Sequence, residues 1–333
     1  MLEHGGRLRL AAQQFGIPLA DWLDLSTGIN PHTYPVPPID PLCWQRLPED
    51  NDGLEAAAAA YYGNDRLLVL PGSQAAIQTL PFLFKTAAVT CVSPVYEEHP
   101  HAWEKAGHKL RRLPSLQRAL SAMTPYVQLC SPNNPTATPY QRASLLDAAA
   151  QLHKRGGWLI VDEAFADAEP ENTVVSLAGS EAAPNLIVLR SLGKFFGLAG
   201  ARVGFVFGDA EKLGRLREIL GPWPVANPCR LVARAALEDF GWQAAMRTRL
   251  RADSQRLAVM LAPLGKVSRT DLFCTVSGTA EPLAVEAVFD HFARRAILTR
   301  RFDQHGLIRF GLPGSEPEWE RLAQAVQAWS SAC

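Results

Sequence analysis

Ser191-Leu192-Gly193-Lys194-Phe195-Phe196-Gly197-Leu198-Ala199-Gly200-Ala201-Arg202-Val203-Gly204 is the stretch on which the fold of this chain turns. It lies between two apolar runs, Leu186–Leu189 and Val203–Phe207, that are predicted strands. Lys194 and Arg202 are its only charges. Lysines mostly lie on surfaces, so one set amid Gly, Phe and Leu is unusual. Its ordinary explanation is a stem packed on apolar neighbours with its head in water. Its chemical one is an amine kept partly unprotonated by desolvation and a nearby cation, as a nucleophile requires.

Outward from this loop, residues 52–208 alternate strand and helix. Asp52–Tyr62 is a predicted helix stopped at Gly63. Leu67–Leu70 is a short apolar strand broken by Gly72, and Ser73 is the predicted cap of a helix running to about Phe84. Strands follow at Ala88–Val92, Leu110–Leu113, Tyr126–Cys130 and Trp158–Val161. Helices at about Glu97–Ala106 and Tyr140–Arg155 lie between some of them, the second ended by Gly156. Continuously apolar strands separated by helices predict an α/β fold with a mostly parallel seven-stranded sheet flanked by helices. Ligands in such sheets sit beyond the carboxyl ends of strands. After Gly208, helices at Glu211–Leu220, Cys229–Phe240 and Trp242–Leu264 precede short strands at Leu272–Val276 and Leu307–Phe310 and a helix at Glu316–Ser330. These predict a smaller α+β domain. Residues 1–40, with Pro31, Pro35, Pro37 and Pro38, suggest an extended arm. The predicted division is an arm over 1–40 that contributes to the small domain and the active site, a large domain over 41–240 and a small domain over 241–333.

The balance of 33 basic and 33 acidic residues leaves no net field to favour nucleic acid or an anionic membrane. No run approaches the roughly 20 apolar residues of a membrane helix. The segment Met1–Arg7 has no apolar core of a secretion signal, so a cytoplasmic protein is expected. Cys43, Cys91, Cys130, Cys229, Cys274 and Cys333 form no Cys-x-x-Cys pair, and reduced thiols are predicted. Glu97-Glu98-His99-Pro100-His101 holds possible metal ligands, but Pro100 spoils helical ligand spacing. It is taken as a solvated helix start, and no metal site is predicted.

Three further pieces suit chemistry beside Lys194: Gly72-Ser73-Gln74, Ser131-Pro132-Asn133-Asn134-Pro135 and Asp162-Glu163-Ala164-Phe165. Arg202 is an always-charged planar fork and Ser191 a hydroxyl, both suited to a phosphate. The turn at Gly72-Ser73-Gln74 opens a helix whose free N–H groups favour an anion, though such turns are also ordinary capping chemistry. Asp162 ends a buried strand and needs a partner; a protonated ring nitrogen is one, a helix cap another. Asn134 could donate to a ring oxygen or serve only its turn. Tyr96 could stack on a ring or simply pack.

Together these motifs resemble the fold-type I pyridoxal 5′-phosphate (PLP) enzymes, and within them the histidinol-phosphate aminotransferase-like group. The resemblance covers essentially the whole chain. It implies Lys194 as the Schiff-base lysine and proton shuttle, and Asp162 as the partner of the pyridine nitrogen. It implies Asn134 at the 3′-oxygen and Tyr96 on the ring face. Gly72, Ser73, Gln74, Ser191 and Arg202 are implied around the phosphate, and Arg309 at the substrate carboxylate. Two positions depart from the aminotransferase pattern. Phe165 replaces a tyrosine whose hydroxyl reaches the 3′-oxygen, and Leu47 replaces a tyrosine that reaches a neighbouring subunit's cofactor.

His4-Gly5-Gly6 and Leu23-Asp24-Leu25-Ser26-Thr27-Gly28-Ile29-Asn30-Pro31 are similar to the members of the group that decarboxylate L-threonine O-3-phosphate in cobalamin biosynthesis. This resemblance implies decarboxylation, with His4, Gly28, Asn30 and Arg309 binding a phosphorylated amino acid in a homodimer. His4, Arg300 and Arg301 are the candidate partners of the substrate phosphate. The alternative is a histidinol-phosphate-type aminotransferase using 2-oxoglutarate and glutamate. A catalytically silent binding module is opposed by Lys194, Asp162, Asn134 and Arg202. Ser191-x-x-Lys194 also fits a serine hydrolase, but its Ser-Asp-Asn and Lys-Thr-Gly partners are missing and Lys85-Thr86-Ala87 is only a near match.

Overall fold

The computed structural model describes residues 4–278 and 284–331. The chain forms two compact units: Thr33–Asn134 with Pro139–Ala244, and Met1–His32 with Pro135–Thr138 and Ala245–Cys333. The expected extended arm is not extended at its start. Leu8–Phe15 is helix α1, closed by Gly16 at φ 67°, and Leu23–Asp24 is strand β1. The prolines that suggested an arm lie past this helix. Leu8, Ala11, Ala12 and Phe15 recur at helical spacing and pack with Trp22, Phe289, Ala293 and Leu298.

The larger unit then follows in chain order: α2 (Leu54–Tyr62), β2 (Leu67–Leu70), α3 (Ser73–Thr79), β3 (Ala88–Val92), α4 (Glu98–Lys105) and β4 (Lys109–Leu113). After these come α5 (Leu116–Ser121), β5 (Tyr126–Cys130), α6 (Arg142–His153), β6 (Trp158–Asp162), β7 (Leu186–Ser191) and β8 (Gly204–Phe207). Helices α7 (Ala210–Leu220) and α8 (Asn227–Glu238) complete it, and α9 (Phe240–Leu261) carries the chain onward. The helix after Gly72 is shorter than expected because Pro81 cannot continue it; Leu80–Leu83 is a 3₁₀ turn. Ser73 is the first helical residue, Gly72 is the N-cap, and no side chain caps α3.

The seven strands lie in the order β2-β8-β7-β6-β5-β3-β4. Strands β4, β3, β5, β6 and β7 are parallel to one another, and β8 is antiparallel to both β7 and β2. Only β8 therefore runs against the rest. Its reversal has a use: β2, β3, β5, β6 and β7 end at one edge of the sheet, and β8 begins there. The inner strands β5, β7 and β8 are buried throughout, as a sheet covered on both faces requires. Leu70, Val89, Leu189 and Val206 are 0% exposed; each such side chain contributes about 1.5–3 kcal/mol of burial. The edge strand β4 exposes Lys109, Arg111 and Arg112, which discourages pairing with another chain.

The second unit holds β9 (Lys266–Thr270), β10 (Phe273–Ser277), α10 (Val285–Ala293), β11 (Ile297–Leu298), β12 (Arg300–Phe302), β13 (Leu307–Gly311) and α11 (Glu316–Ser330). Strands β12-β13-β10-β9 form an antiparallel sheet, and β1 pairs in parallel with β11. A reciprocal Ser315–Glu318 capping box starts α11. Cys43, Cys91, Cys130, Cys229 and Cys274 are free thiols. No described helix is long and apolar enough to cross a membrane.

Candidate active site

In the larger unit, the sequence motifs gather at the sheet edge where the parallel strands end. Asp162 closes β6 and is buried. Its Oδ1 accepts the Ala164 N–H at 2.9 Å, and its Oδ2 lies 2.8 Å from His99 Nε2. His99 overturns one expectation. The Glu97–His101 string is not a solvated helix start, since His99 is 3% exposed and Pro100 and Trp103 are buried beside it on α4. Sequence reasoning missed His99 as a site residue. No local pattern marks it; its ring meets that of Tyr96, which lies just before α4, edge-on at 6.1 Å.

Lys194 stands in the loop after β7, with Nζ 5.4 Å from the centre of the buried Phe165 ring. Arg202 comes from the turn into β8. Its backbone is left-handed, at φ 52°, and its guanidinium packs on Gly72. A Cβ on Gly72 would stand 2.5 Å from Arg202 Nη2, and one on Gly204 would stand 2.4 Å from the Ser73 nitrogen. Close approach to backbone therefore requires Gly204, and a φ of 78° favours glycine at position 72. They press Arg202 and the start of β8 against the first turn of α3. The reversed strand thus brings a guanidinium to the opening N–H groups of that helix. The Ser191 hydroxyl accepts the Gly193 N–H at 3.4 Å at the start of the lysine loop.

Gln74 Nε2 donates to Glu98 Oε2 at 2.8 Å, as does Gln78 Nε2, and the Tyr96 hydroxyl donates to Gln74 Oε1 at 3.5 Å. Burial, with Glu98 and Asp162 adding to it, pushes that hydroxyl up to about 12. Asn134 ends the loop after β5, and its neighbour Asn133 donates to the Pro94 carbonyl at 2.8 Å. Below the edge, Arg190 on β7 is 2% exposed and bonds Glu163 Oε2 at 2.7 Å and Asp167. Glu163 also accepts from Thr173 and the Val174 N–H. This buried ionic knot binds the ends of β6 and β7 on either side of Asp162 and Ser191.

In the second unit, Ser26 is the hub. Its hydroxyl accepts the Gly6 N–H at 2.7 Å and donates to Asp24 Oδ1 at 2.6 Å. Its carbonyl accepts from Arg309 Nη2 at 2.8 Å. Arg309 lies on β13, is buried, and passes over Phe273 and Phe302; it is not the exposed strand charge that composition alone favours. Asn30 is buried, and its Oδ1 accepts the His32 N–H. Gly28 stands in the same segment. A cavity of about 270 Å³ is lined by His4, Arg7, Ser26, Thr299, Arg300 and Arg301, among others. The Thr299 hydroxyl is 2% exposed with no hydrogen-bond partner among the described residues. Arg301 is already paired with Asp303 at 3.4 Å.

These groups fit PLP. A paired, buried carboxylate at a strand end suits the ring nitrogen. A phosphate suits Arg202 with the opening turn of α3, and the lysine amine stands within the same edge. Comparison with known proteins bears on this assignment. Residues 47–326 match the family described as aminotransferase class I and II. The chain is 49% identical over 334 residues to a threonine-phosphate decarboxylase of Pseudomonas aeruginosa, covering 98% of this chain and 97% of that one. It is 37% identical to a threonine-phosphate decarboxylase of a Sinorhizobium species, at the same coverages of 98% and 97%. Among solved structures, a histidinol-phosphate aminotransferase of Sinorhizobium meliloti in complex with PLP superposes with a TM-score of 0.83 at 19% identity, covering 99% of this chain and 96% of that one. The chain therefore belongs to the aminotransferase class I and II family, among relatives that include the threonine-phosphate decarboxylases.

Proposed function

We propose that this chain is a PLP-dependent carboxy-lyase that converts L-threonine O-3-phosphate to (R)-1-amino-2-propanol O-2-phosphate in cobalamin biosynthesis. One observation carries the choice of decarboxylation over transamination. The side chain next to Lys194 is Phe165, whose ring offers no hydroxyl to a cofactor oxygen. The near-full-length similarity to threonine-phosphate decarboxylases supports the same reading.

PLP, when bound, serves as the electron sink for the pair left on Cα as CO2 departs. Asp162 holds a proton on the ring nitrogen, and His99 keeps that carboxylate oriented. Asn134 donates to the 3′-oxygen and Tyr96 covers the ring face. Arg202, Ser191, Ser73 and Gln74, with the close turn at Gly72, hold the phosphate. Lys194 would anchor the cofactor and supply the proton at Cα that makes an amine rather than a carbonyl product. Arg309 would take the substrate carboxylate, and the orientation it imposes would select the bond that breaks. His4, Gly28 and Asn30 line the substrate's phosphorylated end. Arg300 and Arg301, which line the same cavity as His4, are the candidate cations for that phosphate. The protein is cytoplasmic and a homodimer in this reading. Exposed Leu42, Trp44 and Leu47, at 57%, 70% and 61%, are the apolar surface a second copy would cover.

The test is incubation of the PLP-loaded protein with O-phospho-L-threonine, with and without 2-oxoglutarate, following CO2 and glutamate. CO2 without keto acid is the expected result. Glutamate formed only with keto acid would make the chain an aminotransferase and overturn the argument from Phe165.

A further inference from the structure

The geometry points to a second ligand for the same pocket: in the cofactor-free chain, His99, Cys130 and Asp162 bind a thiophilic divalent cation of the zinc class, and cation and PLP exclude one another. The exclusion rests on the reading that Asp162 faces the cofactor's ring nitrogen.

The three side chains come from separate elements, α4, the end of β5 and the end of β6. Their ligand atoms all lie within 4.8 Å of one another. Exposures are 3%, 4% and 6%. Imidazole, thiolate and carboxylate are the donors that zinc takes, and three protein ligands plus water is a common zinc arrangement. Bonds of about 2.0–2.3 Å place such donors roughly 3–4 Å apart, so the trio must close only slightly.

Charge decides whether so buried a site can hold an ion. A dication, one thiolate, one carboxylate and a neutral imidazole sum to zero, so no net charge is buried. The protons balance as follows. Cys130 gives its thiol proton to solvent. His99 keeps one ring proton by carrying it on Nδ1, which leaves the Nε2 pair for the metal. Asp162 contributes an oxygen, and no electrons are exchanged. A cation supplies the compensation that the thiolate otherwise lacks. A dication bound at Asp162 would face the protonated ring nitrogen across a single carboxylate, and repulsion between the two cations gives the exclusion.

The test uses the cofactor-free full chain, Co²⁺ as the spectroscopic probe and Zn²⁺ in equilibrium dialysis. The expected result is one Co²⁺ per chain with a thiolate-to-cobalt absorption, blocked in the PLP-loaded protein. Bound Zn²⁺ should slow PLP uptake, and a chelator should restore it. Cys130→Ser, or Cys130→Ala if the serine variant does not fold, should still take up PLP. Either should lose the cobalt–thiolate band and bind Zn²⁺ at least about tenfold more weakly. Absence of Co²⁺ binding, or a spectrum unchanged by Cys130→Ser, would overturn the site. A cation held through Cys130 that persists beside bound PLP would overturn the exclusion. It would also overturn the placement of the ring nitrogen at Asp162, while leaving the metal site itself standing.

Discussion

Arg190→Met should be the most destabilising single change near the site, and charge counting says why. The Arg190 side chain is 2% exposed, Glu163 1% and Asp167 0%, so two carboxylates face one guanidinium out of water. The Tyr62 ring lies 4.8 Å away and offers no replacement charge. Although burial works against the guanidinium, Asp167 and Glu163 hold it well above its usual value. Burial pushes the Glu163 carboxyl upward despite Arg190. Removing Arg190 leaves two uncompensated buried carboxylates, at a cost of about 3–5 kcal/mol. Glu163→Gln instead leaves one guanidinium against one carboxylate and costs about 1 kcal/mol of hydrogen bonding. At roughly 2–4 °C per kcal/mol for a unit of this size, the melting temperature should fall by about 6–20 °C for Arg190→Met and about 2–4 °C for Glu163→Gln. Urea and thermal unfolding of the cofactor-free chain at neutral pH measure both. The pH dependence has a sign. A carboxyl with a raised native pKa binds its proton more tightly folded than unfolded, so its contribution to stability falls as pH rises through that interval. Glu163→Gln should remove that slope. If Arg190→Met costs no more than Glu163→Gln, the charge argument is wrong.

Three further outcomes follow from other contacts. His99→Phe keeps a ring in the buried space but removes the 2.8 Å partner of Asp162; PLP affinity should drop by about tenfold or more, read by fluorescence titration. Phe165→Tyr should lower the pKa of the lysine-bound cofactor in a spectroscopic titration, because a hydroxyl would then stabilise its ring oxygen; an unchanged titration would remove this role for position 165. Asp52 caps α2 through the Leu54 N–H and pairs with Arg230 at 2.6 Å, and these bonds lower its pKa against the opposing effect of burial. Its stabilisation is present above its unfolded value, about 3.9, and lost as pH falls through the lower native value. Asp52→Asn should therefore flatten acid unfolding in that range.

Much of the fold could be read from local pattern. Leu67–Leu70, Ala88–Val92, Tyr126–Cys130 and Glu316–Ser330 have the predicted bounds, because apolar runs between Gly, Pro and polar turns leave little freedom at their ends. The reversal of β8 was not legible. A buried strand has the same composition whichever way it runs, and only its antiparallel pairings with β7 and β2 disclose it. The strands β1, β11 and β12 were missed for another reason. Two or three residues carry too little periodicity, and they exist because Leu23 finds Ile297 far along the chain and Arg300 finds Arg309 across a short turn.

The site shows the same division between chemistry and partnership. Lys194, Asp162 and Arg202 announce themselves because a charge in an apolar stretch needs a reason that can be stated without coordinates. His99 does not, since a histidine between Glu98 and Pro100 has the composition of a solvated turn. Its meaning depends on a carboxylate 63 positions away, which is a distance in sequence that no period spans. Gly72 and Gly204 are intermediate. Each is locally an ordinary glycine at a strand boundary, yet a Cβ on Gly204 would strike the Ser73 backbone and one on Gly72 the Arg202 guanidinium. Charge placement was thus readable where the residue itself violated expectation, and unreadable where the residue was ordinary and its partner was not. The same logic separates the two reactions open to this scaffold. Aminotransferase and decarboxylase need the same lysine, carboxylate and arginine. What differs at Phe165 is a hydroxyl that is missing, and a missing group is visible only against relatives that carry it.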